Sequence, residues 1–153
     1  MHSSAESFIA LDLPKTLDGL MVLVVDDEDD ARELISTILE QRGAKVMGVP
    51  SAIEALATLP RLQPDVIISD IEMPDEDGYT LIKKIRELDA KEGGNTPAAA
   101  LTAYARTEDR MRALLAGFQI HLPKPIEPAE LIAVVANLAQ RTGKQLRQES
   151  IGE

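Results

Sequence analysis

The sequence predicts an α/β fold: an open, doubly wound sheet of five parallel strands, with five helices covering its two faces. Three observations carry that expectation. Five short apolar runs each give way to a segment of helical periodicity, and this alternation requires crossover helices and therefore parallel strands. The runs are apolar throughout instead of alternating, which marks strands buried on both faces. The chain has 153 residues, about one domain at ~100–200 residues each, and a closed eight-fold barrel needs more units than it supplies.

The elements follow in order. Residues 1–19 mix Ser, charges and scattered apolar residues around Pro14 without a sustained period and read as a leader or linker. The folded domain is expected over residues 20–140 and a polar tail over 141–153. Leu20 to Val25 (LMVLVV) is the first strand, running straight into five acids, Asp26, Asp27, Glu28, Asp29 and Asp30. From Asp29 to Arg42, Leu34, Ile35, Ile38 and Leu39 share one helical face, predicting a core stripe that ends at Gly43. Lys45 to Val49 is the second strand. Ser51 with Glu54 three residues on is a capping box, opening a helix expected to end near Pro60.

Val66 to Ser69 is a third strand ending at Asp70, and the turn MPDEDG leads to a helix with Leu81, Ile82, Ile85 and Leu88 on one side. The alanines of the fourth strand, Ala98 to Thr102, have weak strand propensity and imply close packing. Thr107 is expected to cap a helix carrying Met111, Leu114 and Leu115, with Glu108 and Asp109 in the first turn, where the helix dipole favours them. Ile120 to Leu122 is the fifth strand. Pro128 opens a last helix with Leu131, Val134, Val135 and Leu138 inward.

Composition excludes several classes. Asp plus Glu number 26 against 16 Lys plus Arg, a net charge of -10, and such a chain repels phosphate backbones and anionic lipid. Beyond Ala139 the basic residues are Arg141, Lys144 and Arg147, too few for a groove-reading module, so no direct nucleic-acid contact is expected. The absence of cysteine excludes disulfides, thiol nucleophiles and thiolate metal sites. Leu20 to Val25 and Pro97 to Ala105, the longest apolar stretches, fall short of the ~18 residues of a spanning helix. Phe8 to Leu11 is cut off by Asp12 before it makes a signal-peptide core, and the expectation is a cytoplasmic chain without membrane contact.

Parallel strands share one rim, and their C-terminal ends gather chemistry there. Asp26 and Asp27 follow the first strand, Asp70 ends the third, Thr102 ends the fourth, and Lys124 lies just past the fifth. Crowded carboxylates raise one another's pKa and destabilise the fold unless a cation compensates them, and an all-oxygen donor set suits Mg²⁺. A cation, an ammonium and a hydroxyl around one carboxylate stabilise the charge of a transferring phosphoryl group. Asp70 is then the nucleophile and an acyl phosphate the product. An EF-hand loop is rejected: counting from Asp26, its sixth position is Ala31 and not Gly, and its twelfth is Thr37 and not Glu.

Four segments, VLVVDDEDDARELI, DVIISDIEMPDEDGY, ALTAY and LPKPI, occur in this order. With them, the chain from about Leu20 to Ala139 resembles the receiver domain of two-component response regulators, of the kind also fused to hybrid histidine kinases. The resemblance implies a flavodoxin-like sheet of order 2-1-3-4-5. It makes Asp70 the phosphoacceptor and a metal ligand, with Asp27 binding Mg²⁺ directly, Asp26 largely through water, and the backbone carbonyl of Glu72 as a further ligand. Thr102 matches the family's hydroxyl residue and Lys124 its lysine, followed by Pro125 after a cis peptide. Met73, Pro74 and Gly78 match the loop that shapes the site.

The implied function is a phosphorelay step. A histidine kinase or phosphotransfer domain gives its phosphoryl group to Asp70, and the modified domain changes partner binding, a phosphorylation-dependent homodimer included. Chemistry is limited to self-catalysed transfer and slow autodephosphorylation. Two residues depart from the family pattern. His121 stands three before the lysine, where the family's switch aromatic pairs with Thr102, and Tyr104 is bulky at a position that varies. The segment LPKTLDGL resembles the linker before the C-terminal receiver of hybrid kinases, leaving open a stand-alone regulator or one receiver of a larger protein. Two alternatives remain. A haloacid-dehalogenase-type phosphohydrolase places its nucleophile after the first strand in a D-x-D pattern followed by Gly or Thr, which Asp26 to Asp30 do not match. A pseudo-receiver that only binds partners would lack an acidic-pair residue, Asp70 or Lys124, and all are present.

Overall fold

The structure is a computed structural model that describes residues 14–104 and 106–140. Its elements are β1 (Met21–Val25), α1 (Asp29–Glu40), β2 (Lys45–Val49), α2 (Ala52–Leu62), β3 (Val66–Asp70), α3 (Gly78–Arg86), a short 3₁₀ turn (Ala90–Glu92), β4 (Ala98–Thr102), α4 (Thr107–Ala116), β5 (Ile120–Pro123) and α5 (Pro128–Gln140). The sheet order is β2-β1-β3-β4-β5, all neighbours parallel, as the sequence led us to expect. Val24 pairs with Gly48 on one side and Ile68 on the other, and Ile68 pairs with Ala99, so the central strands lie in register and end along one rim. No described helix is long and apolar enough to cross a membrane.

Alternate residues of each central strand point to opposite faces. Leu23, Val25, Ile67, Ala98 and Ala100 pack with Leu59 of α2, Ile82 and Ile85 of α3 and Ala113 of α4. Val22, Val24, Ile68, Ala99 and Leu101 pack with Ile35 and Leu39 of α1 and with Leu131, Val135 and Leu138 of α5. Each fully buried aliphatic side chain contributes about 1.5–3 kcal/mol, which is why the inner stretches Val22–Val25, Val66–Ile68 and Ala98–Leu101 are wholly apolar. Ala98, Ala99 and Ala100 are fully buried, so their small side chains accept close helices. The Arg86 guanidinium ties α3 to its neighbours through the carbonyls of Gly94 (2.9 Å), Thr96 (2.6 Å) and Gly117 (3.0 Å), and its burial lowers its pKa.

Several boundaries and faces differ from expectation. Leu17 is fully buried and its N–H donates to the Arg42 carbonyl at 2.8 Å, so the packed unit begins before Leu20. The rest of the expected leader, residues 1–13, and the tail at 141–153 lie outside the described residues. Leu34, expected in the α1 stripe, is 53% exposed, while Ile35 and Leu39 are buried: the stripe is narrower because α1 packs along an i, i+4 ridge. Pro60 does not end α2, which continues to Leu62 and closes on Gln63 at φ 50°. Near the end of a helix a missing N–H removes only one backbone bond.

At α4 the cap is Arg106, not Thr107, and the Arg106 N–H donates to Asp109 Oδ2 at 3.3 Å. Met111, Leu114 and Leu115 face outward, Leu115 at 82% exposure, because the buried ridge of α4 is made by Ala113 and Ala116. Val134 is only partly buried against the core of α5.

Candidate functional site

Asp26 follows β1 and is turned inward by its own backbone contacts. Its N–H donates to the Val49 carbonyl at 3.1 Å, and its Oδ1 accepts from the Glu28 N–H at 2.9 Å, a local Asx-type turn. Asp26 is fully buried, and its Oδ2 has no hydrogen-bond partner. Asp27, next in the loop, is half-buried. Asp70 ends β3 opposite Leu101 and is 1% exposed. Lys124 leaves β5 with its N–H on the Thr102 carbonyl (2.9 Å), and its Nζ donates to Asp70 Oδ1 at 2.8 Å. The Lys124–Pro125 peptide is cis.

Parallel register thus converts separated sequence positions into one cluster. One carboxylate oxygen from each of Asp26, Asp27 and Asp70 lies within 4.8 Å of the other two. Burial is the largest effect on Asp70, and with the nearby Asp26 charge it outweighs the Lys124 hydrogen bond, so its pKa is pushed up to about 6. Burial also raises Asp26, against the Glu28 N–H and the Lys124 charge. For Lys124, burial alone would lower the pKa, but the bond to Asp70 and the surrounding carboxylates raise it.

The β3–α3 loop packs tightly against the end of β3, where the Gly78 N–H donates to the Ile71 carbonyl at 3.0 Å. Asp77 caps α3 by accepting from the Thr80 N–H at 2.9 Å. A Cβ on Gly78 would stand 2.5 Å from the Asp70 carbonyl oxygen and 2.9 Å from Ile71 Cα, so only glycine lets the helix start there. Met73 is buried in the same loop, and the Glu76 N–H donates to the Pro74 carbonyl at 2.7 Å.

Thr102 reaches the rim, but its hydroxyl is engaged elsewhere. Thr102 Oγ1 donates to Glu72 Oε2 at 2.6 Å and accepts from the Tyr104 N–H at 3.0 Å, while Glu72 Oε1 accepts from the Ala103 N–H at 3.2 Å. His121 is half-buried on β5 with Nε2 3.2 Å from the Tyr104 carbonyl. From the sequence, Glu72 is expected to offer a backbone carbonyl to the metal and, with Tyr104, to flank the acyl phosphate, but no side-chain partner is assigned to it. Its carboxylate is the partner of Thr102, a long-range contact for which no local pattern exists. The Arg32 contact to the acidic loop was also missed, although its placement one turn into α1, beside that loop, was a readable signal.

The donor set fits a magnesium ion. Its ligand atoms are oxygens, they converge, and a buried Asp26 oxygen lacks any other partner. The chemistry available is charge compensation at one carboxylate by an ammonium and a cation.

Comparison with known proteins gives a consistent assignment. Residues 22–136 match the family described as the response regulator receiver domain. A 14.6 kDa protein of Leptolyngbya boryana is 49% identical over 79% of this chain and 91% of its own length. Response regulator Rre1 of Synechocystis is 41% identical over 81% of this chain, which spans only 53% of that protein. Among solved structures, the receiver domain of sensor histidine kinase PA1611 from Pseudomonas aeruginosa is 33% identical with a TM-score of 0.71, covering 80% of this chain and 98% of that one. That structure holds a magnesium ion in its active-site cleft. Receiver domains bind Mg²⁺ at an acidic pocket, work with histidine kinases or phosphotransfer proteins, and are signalling domains, not conventional enzymes, which sets aside the phosphohydrolase alternative. With a family match across most of its length, this chain belongs to the response regulator receiver domains of two-component systems.

Proposed function

We propose that Asp70 of this chain accepts the phosphoryl group of a histidine kinase or phosphotransfer domain, and that Asp26, Asp27, Thr102 and Lys124 serve that transfer. The observation that carries this reading is the convergence of two further carboxylates, Asp26 and Asp27, and one ammonium on Asp70. With a pKa of about 6, Asp70 is ionised roughly ten to one at pH 7, so it is a competent nucleophile without a separate base. One of its oxygens attacks phosphorus, the P–N bond of the donor breaks, and the imidazole nitrogen leaves with the electron pair.

Bound Mg²⁺ supplies positive charge for the phosphoryl oxygens, and Asp26, Asp27, Asp70 and the Glu72 carbonyl are the groups that would hold it. Lys124, already on Asp70 Oδ1, follows the negative charge as it moves onto the phosphoryl oxygens. Thr102 must leave Glu72 before its hydroxyl can reach the new group, so Glu72 opposes the change at Thr102. His121 senses that change through the Tyr104 carbonyl instead of filling an aromatic slot. The domain's work is a population shift of the rim, read by a partner, with slow autodephosphorylation to reset it.

The test is labelling of the full chain by a small phosphodonor with Mg²⁺. Uptake of one phosphoryl group by the wild type and none by Asp70→Asn is expected; equal labelling of both would overturn the proposal.

A further inference from the structure

Arg32 lies one turn into α1 and makes two hydrogen bonds back to the acidic loop. Nη1 donates to the carbonyl oxygen of Asp26 at 2.7 Å and Nη2 to Asp29 Oδ1 at 2.6 Å. The Asp29 half is an ion pair with a side chain 86% exposed, an arrangement that contributes little by itself. The carbonyl half is different. The Asp26 N–H is fixed by Val49 and the Asp26 Oδ1 by Glu28, so the Arg32 bond is a third anchor on one residue. It holds the oxygen of the peptide that joins Asp26 to Asp27, and the plane of that peptide decides where the Asp27 carboxylate points.

The sheet makes room for this arm. Gly48 sits on the edge strand β2 opposite Val24, and a Cβ there would come within 3.0 Å of Arg32 Cγ and 3.1 Å of Cδ. Glycine in a strand interior weakens the strand and commonly marks a close approach, and here the approaching group is the Arg32 stem. From these two observations, we infer that Arg32, cradled by Gly48, is a positioning residue that aims Asp26 and Asp27 at a shared Mg²⁺. The inference rests on the magnesium reading of the site. Groups that orient metal ligands from behind typically change metal affinity ten- to a hundred-fold when removed.

Charge and position predict opposite signs. Arg32 is a cation beside an acidic cluster, so as a mere charge it repels Mg²⁺ and its loss would tighten binding; as an anchor, its loss weakens binding. The experiment is calorimetric titration of Mg²⁺ into the metal-free full chain for wild type, Arg32→Met, Arg32→Lys, Gly48→Val and the Arg32→Met/Gly48→Val double variant. Arg32→Met is expected to weaken Mg²⁺ by about tenfold, and Arg32→Lys to remain weakened although the charge is kept. Gly48→Val should weaken it in the wild type and add nothing in the Arg32→Met background. The Mg²⁺ concentration for half-maximal labelling by a small phosphodonor should rise in step, with the rate at saturating Mg²⁺ unchanged, a split that loss of folded protein does not produce. Should Arg32→Met not fold, Arg32→Lys and Gly48→Ala carry the same comparison. Unchanged or tighter Mg²⁺ binding in the Arg32 variants overturns the inference while leaving the site intact. A wild-type chain that binds no Mg²⁺ overturns the site reading, and this inference with it.

Discussion

Raising the pH of the metal-free protein from 4 to 8 should destabilise it, and Asp70 sets much of the amount. Its folded pKa is about 6 against an ordinary 3.8, chiefly through burial. Because the folded value is the higher, the folded chain holds more protons than the unfolded chain between the two. The stability contributed by protonated Asp70 is therefore complete below 3.8 and lost as the pH climbs through about 6. At about 1.36 kcal/mol per pH unit separating the two values, the loss is roughly 3 kcal/mol. For a chain of this size that is a fall of about 6–12 °C in Tm. The assay is urea unfolding in the presence of a chelator, at several pH values, for wild type and Asp70→Asn. Subtracting the two curves separates Asp70 from Asp26, whose pKa burial also raises. A difference that stays flat from pH 4 to 8 would refute the burial argument.

Three further outcomes follow from individual contacts. Lys124→Met removes the ammonium that opposes burial at Asp70, so the Asp70 carboxyl should titrate above about 6 by carbon-13 NMR, and an unshifted midpoint would contradict the pairing. Gly78→Ala places a methyl 2.5 Å from the Asp70 carbonyl oxygen and should lower stability by about 1–3 kcal/mol in urea unfolding. Glu72→Ala frees the Thr102 hydroxyl and the Ala103 N–H. Amide exchange at Ala103 and Tyr104 should speed up, while the Ile71 N–H, bonded to the Leu101 carbonyl at 2.9 Å, stays protected.

The inner strands β1, β3 and β4 were legible because burial on both faces leaves a local trace. The run LMVLVV has no polar residue before the rim and VIIS has only Ser69, next to the rim, and the acids that follow mark where the sheet ends. The convergence of Asp26, Asp27, Asp70 and Lys124 follows from parallel topology alone, so it too could be anticipated. Side-chain facing was harder to read. Leu34 and Leu115 match a helical period, yet packing on neighbouring elements selects Ile35 and Leu39 in α1 and Ala113 and Ala116 in α4. Leu17 looked like linker because its burial depends on the distant Arg42 carbonyl. The Glu72–Thr102 bond joins the loop after β3 to the end of β4, 30 residues apart, and has no signature in any single window; Arg32 has a local one in its place beside the acidic loop, but the room that Gly48 leaves for it does not.

The most direct measurement is to treat the phosphorylated full chain with borohydride, which reduces an acyl phosphate to an alcohol, and to locate the modified residue by fragmentation mass spectrometry. The account predicts homoserine at position 70 and nowhere else. A trapped residue at Asp26, Asp27 or Glu72, or none despite phosphoryl uptake, would contradict it.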